Sequence, residues 1–245
     1  MSIGTKAQFF VERLKGPDTT VSLSPQDSRH ALRSLRLQPG EEISLADGVG
    51  TVGRGRLAGE EDEVAVIRVE EVHRVVRRPP LVSVALASPK GDRLAWAVQK
   101  LAEMGVDEVA LMETGRSVRT WDGGRADRAA ERLRTVAREA AMQSRQPFVT
   151  EVSAAVPFPD AFPPRGAAGV ILWAGAQGRL SEALPEEATG IRVFVGPEGG
   201  FAQEEIDTAR EAGLIEASLG PGILRTETAA LVAATLVLAR YGRLG

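Results

Sequence analysis

The sequence has 245 residues, of which 43% are hydrophobic and 26% are charged, and its net charge at pH 7 is −3. It has no cysteine and two histidines, which excludes disulfides, thiolate metal sites and cysteine nucleophiles and argues against a histidine-based zinc site. No uncharged apolar stretch reaches the roughly 18 residues that a membrane span needs, and the first ten residues lack the apolar core of a signal peptide. We therefore expect a cytoplasmic protein without a structural metal and without membrane contact.

The first 76 residues are predicted to be rich in β-strands. Short, often alternating runs are separated by Gly, Pro and Asp, as is typical of strands joined by tight turns. These runs cover residues 7–14, 41–48, 50–57 and 63–76. One helix is predicted over 24–37, with Ser24 as its N-cap. Many short strands with one helix indicate a small barrel-like domain over residues 1–76, which ends at the Arg-Arg-Pro-Pro joint of residues 77–80.

From residue 79 to residue 245, predicted strands and helices alternate. The predicted strands cover residues 81–88, 107–114, 166–175, 191–196 and 215–220. The predicted helices cover residues 92–105, 125–144, 203–213 and 226–242. Continuous apolar runs such as LVSVALAS are typical of strands that are covered on both faces. The alternation predicts a second domain with an α/β fold and a mainly parallel sheet.

Three of the predicted strands end in glycine-rich loops, WAGAQG (173–178), GPEGGF (196–201) and LGPGILRTE (219–227). Ligands of open α/β sheets bind at the carboxyl ends of strands, so these loops predict a pocket whose backbone contacts a ligand at short range. None of the loops has a dinucleotide or phosphate-loop pattern, and none contains a lysine. A nucleoside triphosphate is therefore a poor candidate ligand.

Two charged residues in these loops need an explanation. Glu198 lies among three glycines and a proline. Arg225 lies at the start of a helix, where the helix dipole disfavours a cation by a few tenths of a kcal/mol to about 1 kcal/mol. By the same rule Glu227 is ordinary in a first turn. Arg225 either pairs with Glu198 or Glu227, or faces an anionic or carbonyl-bearing substrate.

Residues 113–145 contain eight arginines and five acidic residues. This local excess predicts a surface that meets phosphate groups, because binding depends on the local field and not on the net charge of the chain. A solvated helix face of mixed charge accounts for the same pattern, so both interpretations stay open at this point.

The motifs VGPEGGF and LGPGILRTETAAL together resemble those of the RsmE family, which belongs to the SPOUT superfamily and methylates N3 of a uridine in 16S ribosomal RNA. The stretches RHALRSLRLQPGEEISLADG, AVQKLAEMGVDEV and REAAMQSRQPFVTEV are similar to that family as well. Met142 and Ser144 stand in a region where family members often have a cysteine, so that cysteine is not expected to take part in the chemistry. The WAGAQG loop matches only loosely.

The resemblance implies a PUA-like β-barrel RNA-binding domain over residues 1–76 and a SPOUT methyltransferase domain over residues 79–245. The second domain would contain a deep trefoil knot and bind S-adenosylmethionine. The partners would be 16S rRNA or the small ribosomal subunit and a second copy of the chain. Leu231, Leu236 and Leu238 are candidates for the dimer surface or for the core. The residues expected to bind the cofactor are Leu172, Trp173, Ala174, Val195, Gly196, Pro197, Gly199, Gly200, Leu219, Gly220, Ile223, Leu224, Thr226 and Ala230.

Within this family reaction, we expect Arg225 to stabilise the uracil anion. Glu198 is a candidate proton acceptor, but the pKa of an ordinary carboxylate, near 4, is low for removing a uridine proton. An orienting role for Glu198 is therefore favoured. The residues expected to bind RNA are Arg29, His30, Arg33, Arg36, Arg116, Arg119, Arg145 and Phe201. For Phe201 a place in the core explains the sequence equally well.

Two other functions are alternatives to the methyltransferase. A non-catalytic RNA-binding factor for ribosome assembly, on the same fold, would bind no cofactor although all three loops are intact. A Rossmann-type methyltransferase or dehydrogenase would need a glycine-rich turn after the first strand of its α/β domain. The stretch LVSVALASPKGD offers only Gly91 there, which makes this third function a poor fit.

Overall fold

The computed structural model describes residues 5–89, 92–117 and 124–244. Its contacts divide the chain into two compact units. Unit 1 consists of Met1–Arg77 and Ala141–Val149, and unit 2 consists of Arg78–Ala140 and Thr150–Gly245. The predicted division into domains 1–76 and 79–245 stays a prediction. The contacts place residues 141–149, which that division assigns to the second domain, with unit 1.

Unit 1 contains a five-stranded sheet in the order β1-β3-β4-β5-β2. The strands are β1 (Gln8–Phe10), β2 (Thr20–Ser22), β3 (Glu42–Ala46), β4 (Thr51–Glu61) and β5 (Val64–Arg74). β1 and β3 are parallel, and the other neighbours are antiparallel. Phe9, Ile43, Leu45, Leu57 and Ile67 are buried in one cluster, so alternate residues of the strands form the core of this unit.

Two glycines of unit 1 lie inside a strand and not in a turn. Gly53 and Gly55 belong to β4, where a Cβ atom on Gly53 would lie 2.5 Å from the carbonyl oxygen of Glu71 and one on Gly55 would lie 2.4 Å from that of Arg68. The neighbouring strand β5 therefore approaches too closely for any side chain at these positions. The turn between β4 and β5 falls instead at Asp62 and Glu63, both with positive φ.

The predicted helix of unit 1 begins where expected. Ser24 Oγ accepts a hydrogen bond from the amide of Asp27 at 3.0 Å, which confirms Ser24 as the N-cap. The helix runs as α1 (Pro25–Arg29) and continues as a wider π-helical turn over His30–Ser34. It ends before residue 37, because Arg36 has a left-handed φ of 52°.

Unit 2 contains a six-stranded sheet in the order β11-β9-β10-β6-β7-β8. Its strands are β6 (Leu81–Ala87), β7 (Glu108–Glu113), β8 (Glu151–Pro157), β9 (Ala167–Leu172), β10 (Gly190–Val195) and β11 (Ile215–Ala217). Every pair of neighbours is parallel, which confirms the predicted α/β fold with a parallel sheet. β8 was not predicted from the sequence.

The helices of the second half are α2 (Arg93–Glu103), α3 (Gly124–Gln143), α4 (Leu180–Ala183), α5 (Gln203–Glu211) and α6 (Thr226–Arg240). α2 buries residues at helical spacing and ends at Met104, after which Gly105 has a φ of 79°, as expected of a glycine that follows a helix. In α6, Ala230, Ala233 and Val237 are fully buried. Together with apolar residues of β6 and β10 they belong to the main core of unit 2.

Within the described residues, no helix has both the length and the apolar character that crossing a bilayer requires. Nor do those residues contain a group of three or more His, Asp or Glu side chains that could hold a metal ion.

Candidate active site

The three glycine-rich loops begin at the same level of the parallel sheet. Leu172 at the end of β9 is in register with Val195 at the end of β10 and with Ala217 at the end of β11. Because these strands are adjacent and parallel, the loops that follow them lie side by side at one edge of the sheet. The structure thus brings together the three loops that the sequence singled out.

Backbone hydrogen bonds fix the loop after β9 to the segment after β11. The amide of Trp173 donates to the carbonyl of Ala217 at 3.1 Å, and the amide of Ser218 donates to that of Gly178 at 2.8 Å. The amide of Leu180 then donates to the carbonyl of Ser218 at 2.9 Å. The two segments therefore form one connected wall, and its position does not depend on long side chains.

The indole of Trp173 has a fixed position beside this wall. Its Nε1 donates to Glu216 Oε2 at 2.9 Å, while Arg210 Nε donates to Glu216 Oε1 at 2.8 Å. The hydrogen bond to Glu216 raises the pKa of Arg210. A Cβ atom on Gly175 would lie 2.3 Å from the Trp173 ring. Glycine is therefore required at this position for the ring to lie against the loop backbone.

The loop after β10 is a tight turn over an aromatic ring. The amide of Gly200 donates to the carbonyl of Pro197 at 2.8 Å, and Gly200 has a φ of 69°. A Cβ atom on Gly196 would lie 3.0 Å from the ring of Phe201. That ring is 7% exposed and lies 5.3 Å from the ring of Phe158, centre to centre. Phe201 is thus a core aromatic residue, and the predicted stacking of an RNA base on it does not fit this placement.

A neighbouring loop, residues 114–117 after β7, is joined to the loop after β10. Glu205 Oε1 accepts a hydrogen bond from the amide of Gly115 at 2.8 Å, and Arg116 Nη1 donates to the carbonyl of Gly199 at 3.0 Å. Arg116, a predicted RNA contact, therefore lies at the rim of the candidate site. Arg119, another predicted RNA contact, lies outside the described residues.

The third loop ends at Arg225, the exposed N-cap residue of α6. Among the described residues, none forms an ion pair with Arg225. Glu227, one of the two partners suggested for Arg225, pairs instead with Arg93, and its Oε1 lies 3.5 Å from Arg93 Nε. The next residue, Thr226, is buried and donates its hydroxyl hydrogen to the carbonyl of Gly196 at 3.0 Å. α6 is therefore attached to the loop after β10, while the guanidinium of Arg225 stays accessible.

The remaining predicted cofactor residues divide into a buried and an accessible set. Leu172, Val195, Pro197 and Ala230 are buried, and Trp173, Gly196, Leu219 and Gly220 are half-buried. Ala174, Gly199, Gly200, Ile223 and Leu224 are exposed, with Ile223 at 96%. Added Cβ atoms on Gly200 and Gly220 would meet nothing within 4 Å. Glu198 is exposed as well. The site thus combines an apolar floor with open backbone, which fits a ligand that has both an aromatic ring and a charged part.

Two buried polar atoms at this edge of the sheet were not predicted. Glu227 is 7% exposed and Ser88 is 2% exposed. In the described part of the chain, neither Glu227 Oε2 nor Ser88 Oγ has a hydrogen-bond partner. The sequence offered no signal for either, because an acidic residue in a first helical turn is ordinary and burial depends on the tertiary structure.

A separate groove lies on the open face of the sheet in unit 1 and has a volume of about 260 Å³. Gln8, Ser44, Arg54, Glu71, His73 and Arg145 contribute polar side chains to it. The hydrogen bond from Arg54 lowers the pKa of the Glu71 carboxyl group. Arg145 has a left-handed φ of 58° and donates to the carbonyl of Thr5. Arg145, a predicted RNA contact, therefore lies in this groove of unit 1.

The other predicted RNA contacts of unit 1 share one surface. Arg29, His30, Arg33 and Arg36 follow each other along α1 and the turn after it, and all four are exposed. Arg33 pairs with Glu63 at 3.2 Å, and the ring of His30 packs against that of Phe9 at 6.2 Å. These side chains therefore form an exposed and mostly basic surface in unit 1.

Comparison with known proteins identifies the fold and its class. The family model for the RNA methyltransferase domain matches residues 77–238, and the one for the RNA methyltransferase PUA domain matches residues 23–70. The first match alone covers more than half of the chain. The parallel sheet, its glycine-rich loops and the preceding β-rich unit are therefore those of an RNA methyltransferase.

The relatives define the family more closely. The chain is 34% identical to the ribosomal RNA small subunit methyltransferase E of Mycobacterium tuberculosis over 92% of this chain and 88% of that protein. It is 29% identical to that of Bacillus subtilis over 94% and 95%. A crystal structure of the Neisseria gonorrhoeae protein bound to S-adenosylmethionine has a TM-score of 0.86 at 28% identity, covering 95% of this chain and 97% of that one. The chain belongs to the ribosomal RNA small subunit methyltransferase E (RsmE) family.

Proposed function

We propose that this protein transfers the methyl group of S-adenosylmethionine to N3 of a uridine in the 16S RNA of the small ribosomal subunit. The observation that carries this proposal is the common level at which the three glycine-rich loops leave the sheet. Relatives that cover 95% of this chain, from Neisseria gonorrhoeae and Legionella pneumophila, have been solved with S-adenosylmethionine bound. Membership of the RsmE family supports ribosomal RNA of the small subunit as the substrate.

The cofactor site is the edge formed by the loops after β9, β10 and β11. Gly196, Gly199, Gly200, Leu219 and Gly220 would hold the adenosine and methionine parts through backbone groups. Glycine suits four of these positions, because a side chain there would obstruct a close approach. Leu172, Val195 and Ala230 supply the apolar floor beneath them. The rest of the predicted set, Trp173, Ala174, Pro197, Ile223, Leu224 and Thr226, frames this surface.

S-adenosylmethionine supplies an electrophilic methyl group on a sulfonium centre when it is bound. The chain's own task is to orient the uracil ring, to let the N3 proton leave and to stabilise the negative charge that develops on the flanking carbonyl oxygens. Arg225 fits the last role, since its guanidinium is accessible beside the loop after β10. Glu198 fits an orienting role at the exposed tip of that loop.

RNA recognition is divided between the two units. In unit 1, the exposed surface of Arg29, His30, Arg33 and Arg36 is proposed to contact phosphate groups of the RNA. The groove that includes Arg145 and His73 offers N–H donors to an unpaired nucleotide, and proteins commonly recognise the unpaired bases of RNA loops. In unit 2, Arg116 is proposed to act at the rim of the active site, and Arg119, outside the described residues, stays a predicted RNA contact.

The proposal includes a homodimer, a trefoil knot in unit 2 and a cytoplasmic location. Among the described residues of unit 2, Trp96 at 46%, Leu236 at 36% and Ile223 at 96% are large apolar side chains in contact with solvent, which supports a surface that a second copy covers. Leu238 is fully buried and belongs to the core, so it is removed from the candidate dimer surface.

Methylation of small ribosomal subunits tests the function. Purified subunits that lack the modification would be incubated with the protein and S-adenosylmethionine labelled in its methyl group, and the modified nucleotide would then be mapped. We expect one 3-methyluridine in the 16S RNA. A label on another base or on another RNA would overturn the substrate assignment. If the subunits stay unlabelled and calorimetry shows no cofactor binding, the protein is a non-catalytic assembly factor.

A further inference from the structure

The strand order of unit 2 reverses between β6 and β10. β6, β7 and β8 follow each other to one side of this point, whereas β10, β9 and β11 lie on the other side. Ligands of open α/β sheets bind in the crevice at such a reversal. Ser88 directly follows β6, and the bond from Thr226 to Gly196 places the start of α6 beside the end of β10. Ser88 and Glu227 therefore both lie at the edge where this crevice opens.

Glu227 is a buried carboxylate whose two oxygens have different surroundings. Its Oε1 lies 3.5 Å from Arg93 Nε, and its side chain is 9% exposed. Its Oε2 is buried and, among the described residues, accepts no hydrogen bond. A buried acceptor without a donor carries a desolvation cost that folded proteins rarely tolerate. A donor that is not part of the described chain is therefore expected at Oε2.

We propose that Glu227 Oε2 accepts a hydrogen bond from an N–H group of a ligand bound at this reversal, and that Ser88 Oγ donates to an oxygen next to that group. This inference rests on the proposed function. Both of its reactants, uridine and S-adenosylmethionine, have an N–H donor next to an oxygen acceptor. The N3–H of uracil lies between two carbonyl oxygens, and the ammonium group of S-adenosylmethionine lies beside a carboxylate. Arg93 is a positioning residue, because it fixes which oxygen of Glu227 points away from the ligand.

Arg93 makes the substitution Glu227→Gln informative. A guanidinium only donates hydrogen bonds, so it orients the amide with the oxygen toward Arg93 and the NH₂ group toward the ligand. The NH₂ group of the amide then faces the N–H group of the ligand, so two donors meet where the ligand requires an acceptor. When Arg93→Met is added, the amide can rotate and present its oxygen to the ligand. A purely structural role for Glu227 does not predict such a recovery.

The experiment compares three variants with the wild-type protein in calorimetry with S-adenosylmethionine and in methylation of small subunits over a range of RNA concentrations. The variants are Glu227→Gln, Glu227→Gln with Arg93→Met, and the control Glu211→Gln on the exposed end of α5. If the cofactor ammonium is the donor, Glu227→Gln weakens cofactor binding by about ten- to a hundredfold. If uracil is the donor, cofactor affinity is kept and methylation falls by a similar factor. In either case the double variant recovers about threefold or more.

Normal cofactor affinity together with normal methylation in Glu227→Gln would overturn the inference, and an ordered water would then be the partner of Oε2. A loss without recovery in the double variant also contradicts it. If Glu227→Gln does not fold, Glu227→Asp retains the charge and withdraws the acceptor by one methylene group. A folded Asp variant with wild-type affinity and turnover would count against the inference. Failure of the wild-type protein to bind S-adenosylmethionine would instead refute the proposed function.

Discussion

The hydroxyl group of Thr226 donates to the carbonyl oxygen of Gly196 at 3.0 Å. This bond connects the first turn of α6 to the loop after β10, and both partners belong to the predicted cofactor site. Because Thr226 is 3% exposed, water cannot readily replace the bond. This buried side chain therefore helps to fix the relative position of two of the three glycine-rich loops.

Replacing Thr226 by Val removes this hydrogen bond while keeping the shape of the side chain. The carbonyl of Gly196 loses its partner, so we expect the free energy of unfolding to fall by about 1–3 kcal/mol. We also expect weaker binding of S-adenosylmethionine, because a direct hydrogen bond between the two loops is lost. Denaturant unfolding and calorimetry measure these effects. Thr235→Val, on the exposed side of α6, is the matched control, and equal effects of the two substitutions would contradict this role.

Arg225 is expected to act on the reaction and not on stability. Its side chain is exposed and has no ion pair with the described residues, so Arg225→Ala should change the free energy of unfolding by no more than about 0.5 kcal/mol. Loss of a group that stabilises developing charge typically lowers turnover by about 10²–10³-fold. Calorimetry should show nearly unchanged cofactor affinity. Arg240→Ala, at the other end of α6, serves as the control. Near-normal methylation by Arg225→Ala would remove Arg225 from the mechanism.

Gly175 is expected to tolerate no side chain. A Cβ atom there would lie 2.3 Å from the Trp173 ring, so Gly175→Ala must displace the indole from its bond with Glu216. We expect a loss of about 1–3 kcal/mol in the free energy of unfolding and an altered Trp fluorescence spectrum. Gly222→Ala is the control, since a Cβ atom at Gly222 would meet nothing within 4 Å. An unchanged spectrum in Gly175→Ala would show that the ring is not fixed against the loop.

Glu71, in the groove of unit 1, should make the free energy of unfolding depend on pH. Its hydrogen bond with Arg54 lowers the pKa of the carboxyl group below the ordinary value of 4.5. The resulting stabilisation is therefore complete above pH 4.5 and is lost as the pH falls through the lower pKa of the folded state. Glu71→Gln should abolish this contribution, so the stability difference between wild type and variant should shrink between pH 6 and pH 3. A difference that stays constant over that range would contradict the assignment.

Strands and helix ends could be predicted from the sequence where they depend on residues that are neighbours in the chain. The apolar runs of β6 and β10 and the N-cap at Ser24 are examples, because each can be recognised from a few consecutive residues. β8 could not be predicted, since its sequence EVSAAVP is mostly half-buried and lacks a strong apolar pattern. The 46% exposure of Trp96 could not be predicted either, because composition alone does not tell which face of α2 packs inward.

The site shows the same division. The loops were predictable, because glycines after parallel strands have a known structural meaning. The burial of the carboxylates of Glu198 and Glu227 was not predictable. The glycines next to Glu198 make it conspicuous in the sequence, but they do not indicate whether its side chain is buried. In the structure Glu198 is exposed and Glu227 is buried. Only the tertiary contacts that bring Arg93 to the start of α6 distinguish them.

The assignment of residues 141–149 to unit 1 has a consequence for synthesis of the chain. Phe10 and Ala46 share a buried cluster with Ala141, and Gln8 donates its amide hydrogen to the carbonyl of Gln146 at 2.9 Å. The amino-terminal unit therefore cannot complete its packing when residue 77 leaves the ribosome. It must wait for about 70 further residues, which take about 4–14 s at ordinary elongation rates. A fragment cut at the joint of residues 77–80 would expose Phe10 permanently and would be prone to aggregate.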